Sequence, residues 1–315
     1  MREFQVRVEA IVPHGAGGRV RDYVLAPLPG ERLAAHEPGA HLFVHTEVSI
    51  NAYSLLDDGV LPERYRIAVL RMDCGGGSDW LHTTVHVGDT LTVSGPKAAF
   101  SPVPDARHAL LIAAGIGVTP ILSHARAAAR WHRPFSIIYA HHDADPPLLA
   151  ELAAVAGVDL TRVRHRRELM EAVADALRRQ PVGAHAWACG PAAFLDWFLD
   201  EGARAGWVSE RLHVEAFAAP PAATSDPFSV VLRASGRRIE VPAGVSLLAA
   251  LDAAGVTVPR MCTRGVCGEC EVRVCAGTPD HRDLILSREQ RSAPTATVMY
   301  PCVSRASTPE LELDL

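Results

Sequence analysis

The residues with the clearest chemistry are Cys262, Cys267 and Cys270, in the run Cys262-Thr263-Arg264-Gly265-Val266-Cys267-Gly268-Glu269-Cys270, with Cys302 arriving far downstream. A C-x4-C-x2-C run followed by a distant fourth cysteine is the spacing of plant-type [2Fe-2S] ferredoxins. Each of two ferric ions joined by bridging sulfides wants two thiolates, and a tight loop supplies three of the four while wrapping the cluster. Gly265 and Gly268 would let backbone amides approach the sulfides and donate hydrogen bonds that tune the potential. A structural zinc site is the alternative, but zinc ribbons usually present two C-x2-C knuckles and only Cys267 and Cys270 are so spaced here. Cys275, in Glu271-Val272-Arg273-Val274-Cys275, reads as a strand residue rather than a ligand.

Two glycine-bearing turns carry the second chemistry. Gly115-Ile116-Gly117-Val118-Thr119-Pro120 follows the apolar run 109–114 and precedes a helical stretch. Glycines between a parallel strand and a helix N-terminus allow a pyrophosphate to sit on exposed amides at the positive end of the helix dipole. The full G-x-G-x-x-G fingerprint is missing, so a plain tight turn remains the alternative. Trp187-Ala188-Cys189-Gly190-Pro191 forms a second strand-to-helix junction, where Cys189 is either part of the ligand edge or a small buried hydrophobe. After the strand ending at Ala140, His141-His142-Asp143 stand where a ribose 2′-phosphate would call for arginines, which favours NADH over NADPH. His141 and His142 read as solvated loop histidines, since no thiolate or carboxylate is spaced to complete a metal site.

The elements that must position these residues change character along the chain. Over 4–102, short alternating runs such as Tyr23-Val24-Leu25, His41-Leu42-Phe43-Val44, 65–70 and Thr90-Leu91-Thr92-Val93 predict an antiparallel barrel or sandwich. From 103 onward, buried apolar strands (109–114, 135–140, 184–188) alternate with helical stretches (121–129, 191–206), the texture of a doubly wound parallel sheet. The segment 218–226 has two prolines and no periodicity, as a semi-rigid linker would. A third unit follows, with strands at 228–232 and 238–241 around a Ser235-Gly236 turn and a helix capped by Ser246 and closed by Gly255.

Bulk properties exclude several classes. The chain of 315 residues exceeds one ordinary core, at roughly 150 residues per domain. A formal net charge of −5 without a dense Lys/Arg run argues against nucleic-acid binding. The most apolar stretch, 109–120, falls short of the roughly 20 residues that cross a bilayer. The alternating start lacks a signal-peptide core, and the cysteines look like ligands in a reducing compartment, so a cytoplasmic protein is expected. No paired carboxylates, Ser-His-Asp order or H-E-x-x-H motif points to hydrolysis.

With Tyr53-Ser54-Leu55, Gly75-Gly76-Gly77-Ser78, His213-Val214-Glu215-Ala216-Phe217 and Asp280-His281-Arg282-Asp283 added to these motifs, the chain resembles the phthalate dioxygenase reductases, including the vanillate demethylase reductase branch, over essentially its whole length. The resemblance implies a multidomain protein: an antiparallel β-barrel flavin domain (1–102) holding FMN, an α/β parallel-sheet nucleotide domain (103–218) for NADH, a linker (219–226), and an α+β, β-grasp ferredoxin domain (227–315) holding the [2Fe-2S] cluster on Cys262, Cys267, Cys270 and Cys302. Tyr53 would lie against the isoalloxazine, Ser54 near its N5, and Phe217 over the face where nicotinamide enters; Tyr53 and Phe217 as plain core aromatics are the alternative. Ser54 and Phe217 would be the catalytic pair, with Asn51, Leu55, Gly76, Gly77, Ser78, Gly115, Gly117, Thr119, Pro120, Cys189, Gly190, Pro191 and Glu215 as further cofactor contacts.

Many family members carry Arg where this chain has Asn51 and where it has Gly75, so two cationic partners of the FMN phosphate are missing. Backbone amides of Gly76 and Gly77, Ser78, Asn51, and Arg71 or Lys97 are the substitutes. Flavin is needed because nicotinamide gives two electrons as hydride and a cluster takes one. With a plant-type cluster at about −400 mV, a downstream acceptor must draw electrons through. The expected partner is a terminal oxygenase, of Rieske type by resemblance and a P450 as the alternative, served by a monomeric reductase. The rival from another class is a ferredoxin carrier with degenerate flavin and nucleotide domains.

Overall fold

Inward-facing apolar residues at every second position build the first sheet of this computed structural model, which describes all residues except 1–2, 16, 74, 99, 156, 180, 218–225, 287–289, 292 and 294–296. The chain forms two units, Met1–Glu215 and Ala216–Leu315. In the first, β1 (Glu3–His14), β2 (Val20–Pro27), β3 (His41–His45), β4 (Ile50–Ser54), β5 (Tyr65–Leu70) and β6 (Thr90–Lys97) pair antiparallel in the order β4-β3-β6-β1-β2-β5. A bridge between Leu55 and Ile67 joins the two edges and closes the sheet into a barrel. Val6, Val8, Leu25, Leu42, Val44, Tyr65, Ile67, Leu91 and Val93 fill it. Helix α1 (Gly77–Thr84) follows β5 and packs Leu81 into this core, while the buried Tyr23 hydroxyl donates to the Leu81 carbonyl at 2.9 Å.

The same unit then changes to parallel strands. β7 (His108–Ala114), β8 (Phe135–Ala140), β9 (Leu160–Val163), β10 (Ala184–Cys189) and β11 (Leu212–Glu215) lie in the order β11-β10-β7-β8-β9. Their helices are α2 (Val118–Arg130), the short α3 (Leu149–Ala153), α4 (Arg166–Arg179) and α5 (Ala192–Arg204). Periodicity that escapes a coarse reading of the sequence fixes α4: Leu169, Val173 and Leu177 recur at four-residue intervals and are its buried face. Strand order reverses between β7 and β10, so the sheet has its switch point there, the place where such sheets bind ligands.

A charged network ties barrel to sheet within this unit. Arg66 of β5 reaches the buried Asp22 of β2 at 2.5 Å and Glu151 of α3 at 2.8 Å, and Glu151 also accepts from Arg126 of α2 at 2.5 Å. Arg126 in turn holds Asp57 at 2.9 Å. His14 Nε2 completes the group at 3.0 Å from Asp22, and that hydrogen bond raises the His14 pKa.

In the second unit, β12 (Phe228–Leu232), β13 (Arg237–Val241), β14 (Val272–Ala276), β16 (Val298–Met299) and β18 (Glu310–Leu313) form a mixed sheet in the order β13-β12-β18-β14-β16, with β12 and β18 parallel; β15 (Pro279–Asp280) pairs separately with β17 (Arg305–Ala306). Helix α6 (Leu247–Ala253) is capped by Ser246, whose hydroxyl accepts from the Ala249 amide at 3.1 Å. Its Leu247 and Leu251 are fully buried on Val230, Val241 and Leu311, each contributing about 2 kcal/mol by area removed from water. The buried Arg305 donates to the carbonyls of Asp226 and Pro242, both at 3.1 Å, and stacks over the Phe228 ring. This is an antiparallel barrel, a parallel-sheet α/β region and an α+β unit in one chain. No helix among the described residues is long and apolar enough to cross a membrane.

Replacing Arg66 with Met leaves the buried Asp22 carboxylate with His14 alone, and removing one partner of a buried pair costs about 3 kcal/mol. The urea midpoint of the first unit should fall accordingly, and an unchanged midpoint would show the network contributes nothing.

Candidate functional site

The first cluster of expected site residues lies where β4 meets the start of α1. Asn51 is buried, and its Oδ1 accepts from Ser49 Oγ at 2.6 Å. Gly77 sits so close that a Cβ there would fall 2.2 Å from Asn51 Oδ1 and 2.8 Å from Ser49 Oγ, so only glycine fits. The two departures from the family pattern, Asn51 and Gly75, therefore meet around one helix start. Gly75 has φ +71°, Gly76 leads into α1 in extended backbone, and no side chain caps the helix. The Asp79 and Trp80 amides turn back to the Gly76 carbonyl at 3.0 Å, so among the described residues the Gly77 and Ser78 amides are the ones open to a ligand. Ser78 Oγ accepts from the Met72 amide at 3.3 Å.

Arg71 lies just past β5 at this loop, with Nε 2.9 Å from Asp73 and 3.4 Å from Asp79. Asp79, in the first turn of α1, also accepts from the Asp73 amide at 2.9 Å, so it braces the loop and the cation together. Sequence reasoning passed over Asp79, though an acid in the first turn of a glycine-led helix was a usable signal. Lys97, at the end of β6, stands opposite His41 of β3.

Ser54 is buried, and its Oγ has no hydrogen-bond partner among the described residues, an arrangement that costs free energy until a ligand supplies one. Tyr53 is half-buried on the edge of the barrel core. Leu55 places its side chain in the barrel core, and its amide donates to the Ala40 carbonyl at 2.8 Å.

At the switch point the two glycine turns touch. A Cβ on Gly117 would lie 2.2 Å from the Cys189 carbonyl oxygen, and one on Gly190 would lie 2.8 Å from Ala114 Cβ. Gly115 has φ +59°, outside the ordinary range of side-chain-bearing residues. Thr119 is buried and donates to the Ile116 carbonyl at 3.1 Å, Pro120 is buried in the first turn of α2, and Pro191 precedes α5 in extended backbone. The backbone of the turns, not these side chains, is what a pyrophosphate would meet.

Cys189 is fully buried, and Glu215 stands beside it across β10 and β11. Glu215 as a residue is half-buried, yet its Oε2 is buried without a partner, and burial pushes its carboxyl up to about 8. Burial and the neighbouring Glu215 push the Cys189 thiol well up too. His213 stacks on Trp187 with ring centroids 4.7 Å apart. Phe217, at the start of the second unit, is half-buried. His141 corrects an expectation: it is buried rather than solvated, its amide held by Val163 and its Nδ1 2.9 Å from the Asp143 carbonyl, whereas His142 is exposed.

In the second unit, Cys262, Cys267, Cys270 and Cys302 are all buried and fall into two pairs. Cys270 and Cys302 have Sγ atoms 3.3 Å apart, and Cys262 hydrogen-bonds Cys267. Thr263, Gly265 and Gly268 take positive φ, winding the loop so that amides point inward. Amides of Arg264, Val266 and Cys267 reach the Cys262 sulfur, Glu269 reaches Cys267 and Gly265 reaches Cys302. The hydrogen bond from Cys267, and these amides after it, lower the Cys262 pKa. Two thiol pairs ringed by amides suit two iron ions bridged by sulfides. Cys275 sits apart on β14, 3.5 Å from Arg233 Nη1.

Glu215 gives this geometry a measurable signature. Its folded pKa lies above the ordinary 4.5, so folding favours the protonated carboxyl and stability falls as pH rises from about 4.5 through about 8. Glu215→Gln should raise the thermal midpoint more at pH 8 than at pH 5, and equal gains at both would contradict the raised pKa.

Known proteins place this arrangement. Residues 230–307 match the 2Fe-2S iron-sulfur cluster binding domain, and residues 94–212 match the N-terminal domain of dimethylamine monooxygenase subunit DmmA-like proteins. The phenoxybenzoate dioxygenase subunit beta of Ectopseudomonas oleovorans is 39% identical across 100% of this chain and 98% of its own length. The heme-dependent oxidative N-demethylase beta subunit of Ectopseudomonas mendocina (strain ymp) is 38% identical over 90% and 92%. Among solved structures, phthalate dioxygenase reductase, described as a modular structure for electron transfer from pyridine nucleotides to [2Fe-2S], superposes with a TM-score of 0.76 at 32% identity, covering 99% of this chain and 98% of that one. Aligned end to end with such reductases and carrying both the switch-point turns and the paired thiols, the chain belongs to the phthalate dioxygenase reductase family, oxidoreductases that pass electrons from NADH through a flavin to a [2Fe-2S] cluster and on to an oxygenase.

Proposed function

We propose that the flavin is FMN, that NADH is preferred to NADPH, and that the reductase serves a Rieske oxygenase as a cytoplasmic monomer. The observation that carries this reading is the meeting of Asn51, Gly77 and the start of α1, which no side chain caps. The domains follow as 1–102 for FMN, 103–218 for NADH, 219–226 as linker and 227–315 for the cluster; residues 218–225 of that linker and its border lie outside the described residues. When bound, FMN converts between a two-electron hydride donor and one-electron acceptors.

The chain's own residues then have distinct tasks. With FMN bound, Ser54 would offer its hydroxyl, which has no partner among the described residues, to the flavin N5, Tyr53 would lie against the isoalloxazine, and Phe217 would cover the face that nicotinamide approaches. Gly115, Gly117 and Gly190 would bring backbone amides to the pyrophosphate, and Glu215 would close the buried end beside Cys189. Amides of Gly76, Gly77 and Ser78 would hold the FMN phosphate with the dipole of α1, and Arg71, steadied by Asp79, would supply the cation that Asn51 and Gly75 do not. The His142 and Asp143 surface after β8 suits a ribose hydroxyl and repels a 2′-phosphate.

A heme-bearing oxygenase is the second reading for the partner. It is favoured by the match of residues 94–212 to the DmmA-like domain and by the identity to the N-demethylase beta subunit.

Anaerobic NADH titration of protein holding FMN and cluster should bleach the flavin band and produce a rhombic [2Fe-2S] signal in low-temperature EPR. A cluster signal obtained with dithionite but not NADH would break the relay at flavin or nicotinamide. Arg71→Ala should weaken FMN retention about tenfold, corresponding to the 1.4 kcal/mol of one charge-assisted contact, with fluorescence of released flavin as the readout.

A further inference from the structure

The segment Asp280-His281-Arg282-Asp283 has no task in the relay as described, yet it is built tightly against the cluster loop. Asp283 is wholly buried. Its Oδ1 accepts from the amides of Ile285 at 3.1 Å and Leu286 at 2.9 Å, and its Oδ2 accepts from Ser304 Oγ at 3.2 Å. Ser304 follows the ligand Cys302 by two positions and also accepts from the Arg282 amide at 3.1 Å. The turn that Asp283 organises presents the Leu284 amide to the Gly265 carbonyl at 2.9 Å, and the Gly265 amide reaches the Cys302 sulfur. Asp283 thus grips both chain segments that carry the four thiols.

No described cation neutralises this carboxylate. Arg282 turns to Asp280, with contacts of 2.6 and 2.7 Å. Arg291 donates to the Asp283 backbone carbonyl at 3.2 Å. His281, its side chain buried and 3.7 Å from Oδ2, has its pKa lowered by burial and so favours the uncharged ring. A buried negative charge in a low-dielectric unit acts over longer distances than a solvated one, and net charge with hydrogen bonding sets the potential of an iron–sulfur cluster.

We propose that Asp283 is a positioning residue of the cluster loop and that its buried charge holds the reduction potential of the cluster low. The proposal rests on the assignment of the four cysteines as cluster ligands. A low potential makes the reduced cluster a stronger donor to the oxygenase, so a residue that touches no sulfur governs the driving force of the last step.

The test is a redox titration of the full-length holoprotein followed by EPR. Asp283→Asn keeps an oxygen for the Ile285 and Leu286 amides while removing the charge. The rhombic signal should persist with unchanged shape and the potential should rise, by about 59 mV if reduction becomes tenfold more favourable. A cluster that persists at the wild-type potential overturns the proposal. Should the variant fail to take up a cluster, Ser304→Ala decides: it leaves the charge and removes one donor to it, so the potential should fall, and an unmoved potential again overturns the proposal. Absence of a rhombic signal from the reduced wild-type protein would instead remove the cluster assignment, and this proposal with it.

Discussion

The nucleotide half of the molecule depends on a contact between two stretches of backbone. Gly117 meets the carbonyl of Cys189 at a distance that leaves no room for a Cβ, and Gly190 meets Ala114 almost as closely. Two strand-to-helix turns can come so near only at the point where a parallel sheet reverses its strand order. Strands β7 and β10, the helices that follow them and the buried Cys189 and Glu215 are all placed by that approach. The charged network of Arg66, Asp22, Glu151 and Arg126 then fixes α2 and α3 against the barrel, so barrel and parallel sheet belong to one packed body.

Electrostatics are handled differently at the three sites. At the start of α1, Arg19, Arg71, Asp73 and Asp79 form ion pairs that balance one another. The same loop leads into a helix start that no side chain caps. At the end of β11, a carboxyl is kept from ionising by burial. Around the thiols, a neighbouring thiol and then backbone amides stabilise negative charge on Cys262, which is what a loop can offer when three of its nine residues are themselves ligands.

Much of this was legible before any coordinates. The cysteine spacing, the change from alternating to continuous apolar runs, and the glycines at strand ends each have one strong physical cause, so each reads directly. What escaped depends on contacts distant in sequence. Leu55 reads as a neighbour of a candidate serine, and the bridge to Ile67 makes it part of the barrel wall. His141 reads as a loop residue, but β9 covers it through the Val163 carbonyl. The pairing of Asp79 with Arg71, and of Asp283 with Ser304, joins residues whose types alone suggest only polar turns.

The division of thiols between one loop and a distant turn has a consequence for folding. Cys270 and Cys302, 32 positions apart, come within van der Waals contact of each other's sulfur. When both bind the same inorganic core, the second unit acquires a covalent cross-link across most of its C-terminal half. By the entropy of loop closure, a link of that span is worth about 4 kcal/mol against the open chain, the scale of a disulfide. The redox centre is therefore also a staple, and a unit that loses its iron loses a large part of what keeps it folded.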